Sequence, residues 1–193
     1  MNMPKNYSDT QGATGEYEKL ELGGQVCKII GAKEETSSKG NKMLVVAFDI
    51  AEGEQKDFFN RRFEELKQFN ADAKWPNGAI HRLMLEDTEG NCNKFFKGFI
   101  TSVEASNKGY NFETSKYDEK TLKGKLFGGI FGREQYLGQM GEIKISTKLR
   151  FIRAADKAKG AEIPEDKLLP GQPSLTNAGG EYITIDDNAD LPF

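Results

Sequence analysis

Asn93-Lys94-Phe95-Phe96-Lys97-Gly98-Phe99-Ile100-Thr101-Ser102-Val103-Glu104-Ala105 is the stretch whose reading decides the fold. Its apolar members Phe95, Phe96, Phe99, Ile100 and Val103 recur at i, i+1, i+4, i+5 and i+8, which is one face of a helix. Asn107-Lys108-Gly109 ends it. Most of the surrounding body has the period of strands instead. Upstream, Gln25 to Thr36 carries Val26, Ile29 and Ile30 among polar residues and reads as a strand. Ser37-Ser38-Lys39-Gly40-Asn41 is a turn cluster. Lys42 to Ile50 is a second strand, so continuously apolar that burial on both faces is expected. Ala79 to Asp87 is a third. Between them, Gln55 to Asn77 is mixed: Phe59, Phe63 and Leu66 fit a short helix, and Trp75-Pro76-Asn77-Gly78 is a turn. Downstream, Gly124 to Tyr136 and Glu142 to Ala154 are two more strands around the hairpin loop Leu137–Gly141.

Strand, strand, strand, helix, strand, strand is the order of an OB-fold: mainly β, a five-stranded Greek-key barrel with its helix between strands three and four. An open antiparallel sheet with a packed helix is the alternative. Gly124, Gly128, Gly129 and Gly132 favour the barrel, because glycines mark strands that bend at a corner or let another backbone come close. The body spans roughly 20–160. Residues 1–19 read as a flexible polar arm, and 161–193 as a disordered acidic tail, rich in Pro, Gly, Ser and Asn and without apolar periodicity.

Charge separates along the same boundary. The whole chain carries −3. After Ala161 the acids are Glu162, Glu165, Asp166, Glu181, Asp186, Asp187 and Asp190, with Lys167 the only base. Between Cys92 and Gly160, Lys and Arg outnumber Asp and Glu two to one. A basic body with an acidic arm suits a polyanion. The longest apolar run, Met43 to Phe48, is far short of the ~20 residues of a membrane helix. The polar first residues hold no secretory signal, so no membrane association is expected. The two cysteines form neither a disulfide framework nor a metal spacing, and a reducing cytoplasm fits.

No motif for catalysis stands out, and neither an enzyme nor a cofactor is expected. Gly124-Lys125-Leu126 lacks the spacing of a phosphate loop, and there is no G-x-S-x-G or H-x-x-x-H. The acids Asp49, Glu52, Glu54 and Asp57 read as a solvated turn, with a metal-dependent nuclease as a remote alternative.

Single-strand binding needs bases along the phosphates and flat side chains for stacking. Both occur interleaved. The candidate contacts are Arg61, Arg62, Lys74, Trp75 and Arg82; then Lys108 and Tyr110; then Lys125, Arg133 and Tyr136; then Lys148 and Arg150. On the last strand Ile143, Ile145, Thr147, Leu149 and Phe151 should share the inner face, with Lys144, Ser146, Lys148 and Arg150 outside. Phe127 and Phe131 suit the core better than stacking. Trp75 and Tyr110, close to turns, are the better stacking candidates.

The chain finishes Asp186-Asp187-Asn188-Ala189-Asp190-Leu191-Pro192-Phe193. A partner with an apolar slot rimmed by Arg or Lys would capture the Phe193 ring and carboxylate together, and the acids would meet the basic rim.

This ending resembles the tip of bacterial single-stranded-DNA-binding proteins, an acidic run followed by an apolar residue, Pro and Phe, although Asn188 and Ala189 interrupt the acids here. The body resembles a different family: phage and prophage proteins of Gram-positive hosts regarded as single-strand-binding accessory proteins. The matching stretches are Ser38–Leu44, Phe48–Glu54, Lys74-Trp75-Pro76, Phe96–Ile100 with Ser106-Asn107, and Leu122–Lys125. The resemblance implies a protein that coats single-stranded DNA in phage replication or recombination. It also implies that Asp186, Asp187, Asp190, Leu191, Pro192 and Phe193 recruit replication and recombination proteins. A homo-oligomer is compatible with it. The competing expectation is an adaptor for a replication protein, without DNA binding of its own.

Overall fold

The computed structural model of the chain describes residues 3, 5, 7, 8 and 18–171. The tail tip from Asp186 to Phe193 lies outside the described residues.

β1 (Gly23–Thr36) and β2 (Lys42–Ile50) form an antiparallel hairpin. Its turn is closed by the Ser37 N–H donating to the Asn41 carbonyl at 2.8 Å. β2 is buried on both faces, as its apolar run requires: Leu44, Val46, Phe48 and Ile50 on one, Val45 and Asp49 on the other. α1 (Phe58–Phe69) supplies the helix of the mixed segment. β3 (Ile80–Met84) is shorter than the expected Ala79–Asp87. A 3-10 turn occupies Asn77–Ala79, and Glu86 leaves the strand to bridge Cys92.

α2 (Lys94–Ser106) begins where Asn93 caps it, its side chain accepting from the Phe95 N–H at 2.9 Å. Phe99, Ile100 and Val103 are buried and Phe96 packs beside them. Phe95 is 69% exposed, so the apolar face is narrower than its spacing suggests. β4 (Leu126–Leu137) and β5 (Ile143–Arg153) complete the sheet.

The result is a five-stranded antiparallel sheet of order β3-β2-β1-β4-β5, with α2 between β3 and β4 in the chain. Phe48 stands near the centre of the core, with ring centroids 5.7 Å from Phe59 and 5.6 Å from Phe127, both edge-on. Phe127 and Phe131 are fully buried, which assigns both to the core.

The β4 glycines serve close approach. α3 (Ala155–Ala158) follows β5 and crosses back over β1 and β4. A Cβ at Gly24 or Gly128 would overlap Ala158. The chain then runs as a strap along β4: Pro164 packs on Gly132, and the Lys167 N–H donates to the Arg133 carbonyl at 3.0 Å. The Gln135 N–H donates to the Lys167 carbonyl at 2.8 Å, and Arg133 pairs with Asp166 at 2.8 Å. Residues 161–171, read from composition as the start of the tail, thus lie against the body. Backbone pairing to β4, which stops pairing β1 after Phe131, needs no apolar periodicity.

Candidate nucleic-acid interface

β3 and β5 are the two ends of the sheet. α2 lies between them, and the three elements enclose a groove of about 730 Å³. Leu83, Phe99, Leu149 and Ile152 contribute apolar surface to its wall, and Phe95 and Phe151 add two rings open to solvent. Phe151 is 46% exposed, against the expectation that it shares the inner face with Leu149.

A β-bulge explains the difference. Ile130 pairs with Phe151 but Phe131 pairs with Leu149, so Arg150 is an extra residue on β5. Leu149 and Ile152 consequently both pack against the core, and Phe151 turns outward. The regular alternation of apolar and basic residues therefore holds only up to the bulge.

Five cations line the groove: Arg82, Lys94, Arg150, Arg153 and Lys157. Two stand over the exposed rings. Lys94 Nζ is 5.3 Å from the Phe95 centroid, and the Arg153 guanidinium is 5.9 Å from that of Phe151. His81 also lines the groove, where burial pushes its pKa below the ordinary imidazole value, so it adds no charge at neutral pH. Cations beside exposed rings can meet phosphates and stack bases at once.

Of the residues proposed from sequence, Arg82 and Arg150 line this groove, and the Arg150 guanidinium also donates to the Arg133 carbonyl at 3.3 Å. The others fall into separate groups. Arg61 pairs with Glu18 at 2.7 Å, and Arg62 lies over the Phe58 ring at 5.5 Å. Trp75 packs on Phe63 with centroids 5.3 Å apart, its indole N–H buried, while Lys74 beside it is exposed. Tyr110 donates to or accepts from Thr121 Oγ1 at 2.9 Å and lies under Lys125 Nζ at 4.6 Å; Lys108 is exposed nearby in sequence. Both favoured stacking candidates, Trp75 and Tyr110, are thus rings packed at the edge of the core. Arg133 is engaged by Asp166, and Tyr136 and Lys148 lie on the β4–β5 arm beyond the groove.

Sequence reasoning missed Lys94, Phe95, Phe151, Arg153 and Lys157. Two signals were present. Lys94-Phe95 stands in the first turn of the helix, where a side chain overhangs the core. Phe151-Ile152 sets two apolar residues side by side in an otherwise alternating strand.

Of the acids read as a solvated turn, Asp49 is instead buried in the fold. Asp49, buried, accepts from the N–H groups of Ile50 at 2.8 Å, Phe59 at 2.9 Å and Asn60 at 3.0 Å. It thereby caps α1 from a neighbouring strand, since Asp57 at the helix start makes no side-chain cap. Burial raises its pKa, and the three N–H groups pull it back only in part. Glu52 pairs with Lys159 at 2.7 Å. Among the described residues no three His, Cys, Asp or Glu side chains are grouped to hold a metal ion, and no helix is long and apolar enough to cross a membrane.

No protein-family model matches the chain and no curated protein matches it, so its likeness to single-strand-binding proteins rests on the motifs themselves.

Proposed function

We propose that the chain is a non-enzymatic single-stranded-DNA-binding protein that coats and protects exposed strands during phage replication or recombination in the host cytoplasm. The observation that carries this reading is the groove between β3, α2 and β5, where exposed Phe95 and Phe151 stand under Lys94 and Arg153 beside Arg82 and Arg150. Duplex DNA hides the faces of its bases, whereas a single strand offers them to open rings.

Strand order supports the finer reading of the sheet as an OB-type barrel. In such a barrel β3 and β5 would be neighbours, and here they flank one groove, with the turn before β3 close to β5. The groove would then be the unzipped seam. The tip Asp186–Phe193 would recruit replication or recombination enzymes, as its likeness to bacterial single-strand-binding tips suggests.

The test is fluorescence anisotropy of the full chain with a labelled oligo-dT of about 30 nucleotides, enough for several sites of one OB-fold. Two salt concentrations and a duplex competitor are included. The expected result is tight binding that weakens with salt and resists the duplex. No binding at low salt overturns the reading and leaves an adaptor acting through its tail.

A further inference from the structure

We propose that the chain pairs with a second copy of itself along the outer edge of β5, residues 142–148, with a two-fold axis at Ile145. β5 is a terminal strand, and β4 is its only partner strand among the described residues. Beyond Phe131, β4 has parted from β1, so β4 and β5 continue as a two-stranded arm. The strap covers the β4 side of this arm through the Glu134–Lys167 bridge. Among the described residues no strand pairs with the β5 side, and an unpaired strand edge is the feature through which strands recruit other strands.

The end of the arm carries more apolar surface than an isolated hairpin tip needs. Leu137 and Ile143 are cross-strand partners, 62% and 43% exposed, and Met140 at the tip is 93% exposed. The tip has a defined shape. Glu142 accepts from the Met140 N–H at 3.0 Å and pairs with Lys144 at 2.7 Å, and the Gly138 N–H donates to the Glu142 carbonyl at 2.8 Å.

Charge excludes the two neighbouring registers. A two-fold axis opposes residues equally distant from it. An axis at Lys144 brings two ammonium groups together, and one at Ser146 opposes Lys144 to Lys148 of the second copy. An axis at Ile145 opposes Ile145 to itself, Ile143 to Thr147, and Glu142 to Lys148. That register replaces like charges with opposite ones and stacks β-branched residues across the new pair.

The paired edge ends where the groove begins, at Leu149. If the groove holds DNA, which rests on the function proposed above, the two grooves lie toward opposite ends of the paired edge. One strand long enough to reach both would then bind with the advantage of two linked sites.

Sedimentation velocity of the full chain at tens of micromolar tests the pairing; twice the chain mass is expected. Lys148→Glu alone and Glu142→Lys alone should each sediment as monomers. Their equimolar mixture should recover the dimer, because every reversed charge then faces its opposite. A damaged fold does not recover on mixing. Independently, Ile145→Cys in a Cys92→Ser background should cross-link chain to chain through a short bis-maleimide. A monomeric wild-type chain, a dimer that survives Lys148→Glu, or no cross-link at position 145 overturns the proposal. A monomer that still binds oligo-dT rejects only the pairing, and a dimer that does not bind rejects only the DNA reading.

Discussion

The rings of Tyr110 and Phe151 each lie beneath a cation, Lys125 at 4.6 Å and Arg153 at 5.9 Å. Tyr110 is tied by its hydroxyl to Thr121 and packs on the core. Phe151 has no polar handle, and a bulge turns it out of the sheet into an open groove. An aromatic beside a base in the sequence therefore describes both a structural ring and a ring that can receive a ligand. What separates them is whether the other face of the ring is occupied.

The sharpest way to break this contrast is to remove the open rings. Stacking is worth about 1–3 kcal/mol per base, so Phe95→Ala and Phe151→Ala should each weaken oligo-dT binding roughly 5- to 150-fold, with the melting temperature little changed. Anisotropy and thermal melts read the two quantities separately, and undiminished affinity in the double variant moves the site elsewhere. Tyr110 should show the reverse. Tyr110→Ala should cost about 2 kcal/mol of stability, below the range for fully buried aromatics, while affinity stays within about twofold. Tyr110→Phe, which loses only the bond to Thr121, should cost about 1 kcal/mol in urea unfolding. Smaller again is the charge term. Arg82→Gln or Arg150→Gln should each reduce the slope of log affinity against log salt by about 0.7, one phosphate's share for a single strand.

The smallest effect belongs to Asp49. Its pKa is raised in the folded chain, so its protonation contributes stability that is present below the ordinary carboxylate range and lost as pH rises through the raised folded value. Asp49→Asn cannot titrate, and stability in that window should lose this part of its pH dependence. A series of urea midpoints across the acid range measures it; identical profiles for both chains mean that Asp49 keeps its ordinary pKa.

Local period made much of the sheet legible. β1, β2, β4, β5 and α2 lie close to where alternation, apolar continuity and helical spacing set them. Three features depend on partners rather than on local pattern. The Arg150 bulge is a mismatch between two strands, and β5 alone looks regular through it. The N-terminus of α1 is capped by Asp49, eleven residues before the farther of the helical N–H groups it serves, while Asp57, which stands at the helix start as a cap would, makes no side-chain cap. The strap is held by backbone bonds and ion pairs to β4, and a Pro- and Gly-containing segment gives no sign of them. For the same reason Arg82 and Arg150 were readable as surface bases, whereas the rings that share their groove were counted as core.

The pairing of β1 with β4 also bears on synthesis. Gly23 meets Phe131 and Lys28 meets Leu126, so the strand at the middle of the finished sheet waits for a partner translated long after it. Until β4 is made, the edge of β1 that β4 covers in the finished sheet has no partner strand, and Val26, Cys27, Ile29 and Ile30 lie along that strand. Pairing so distant in sequence slows folding and prolongs the life of a sticky partial sheet.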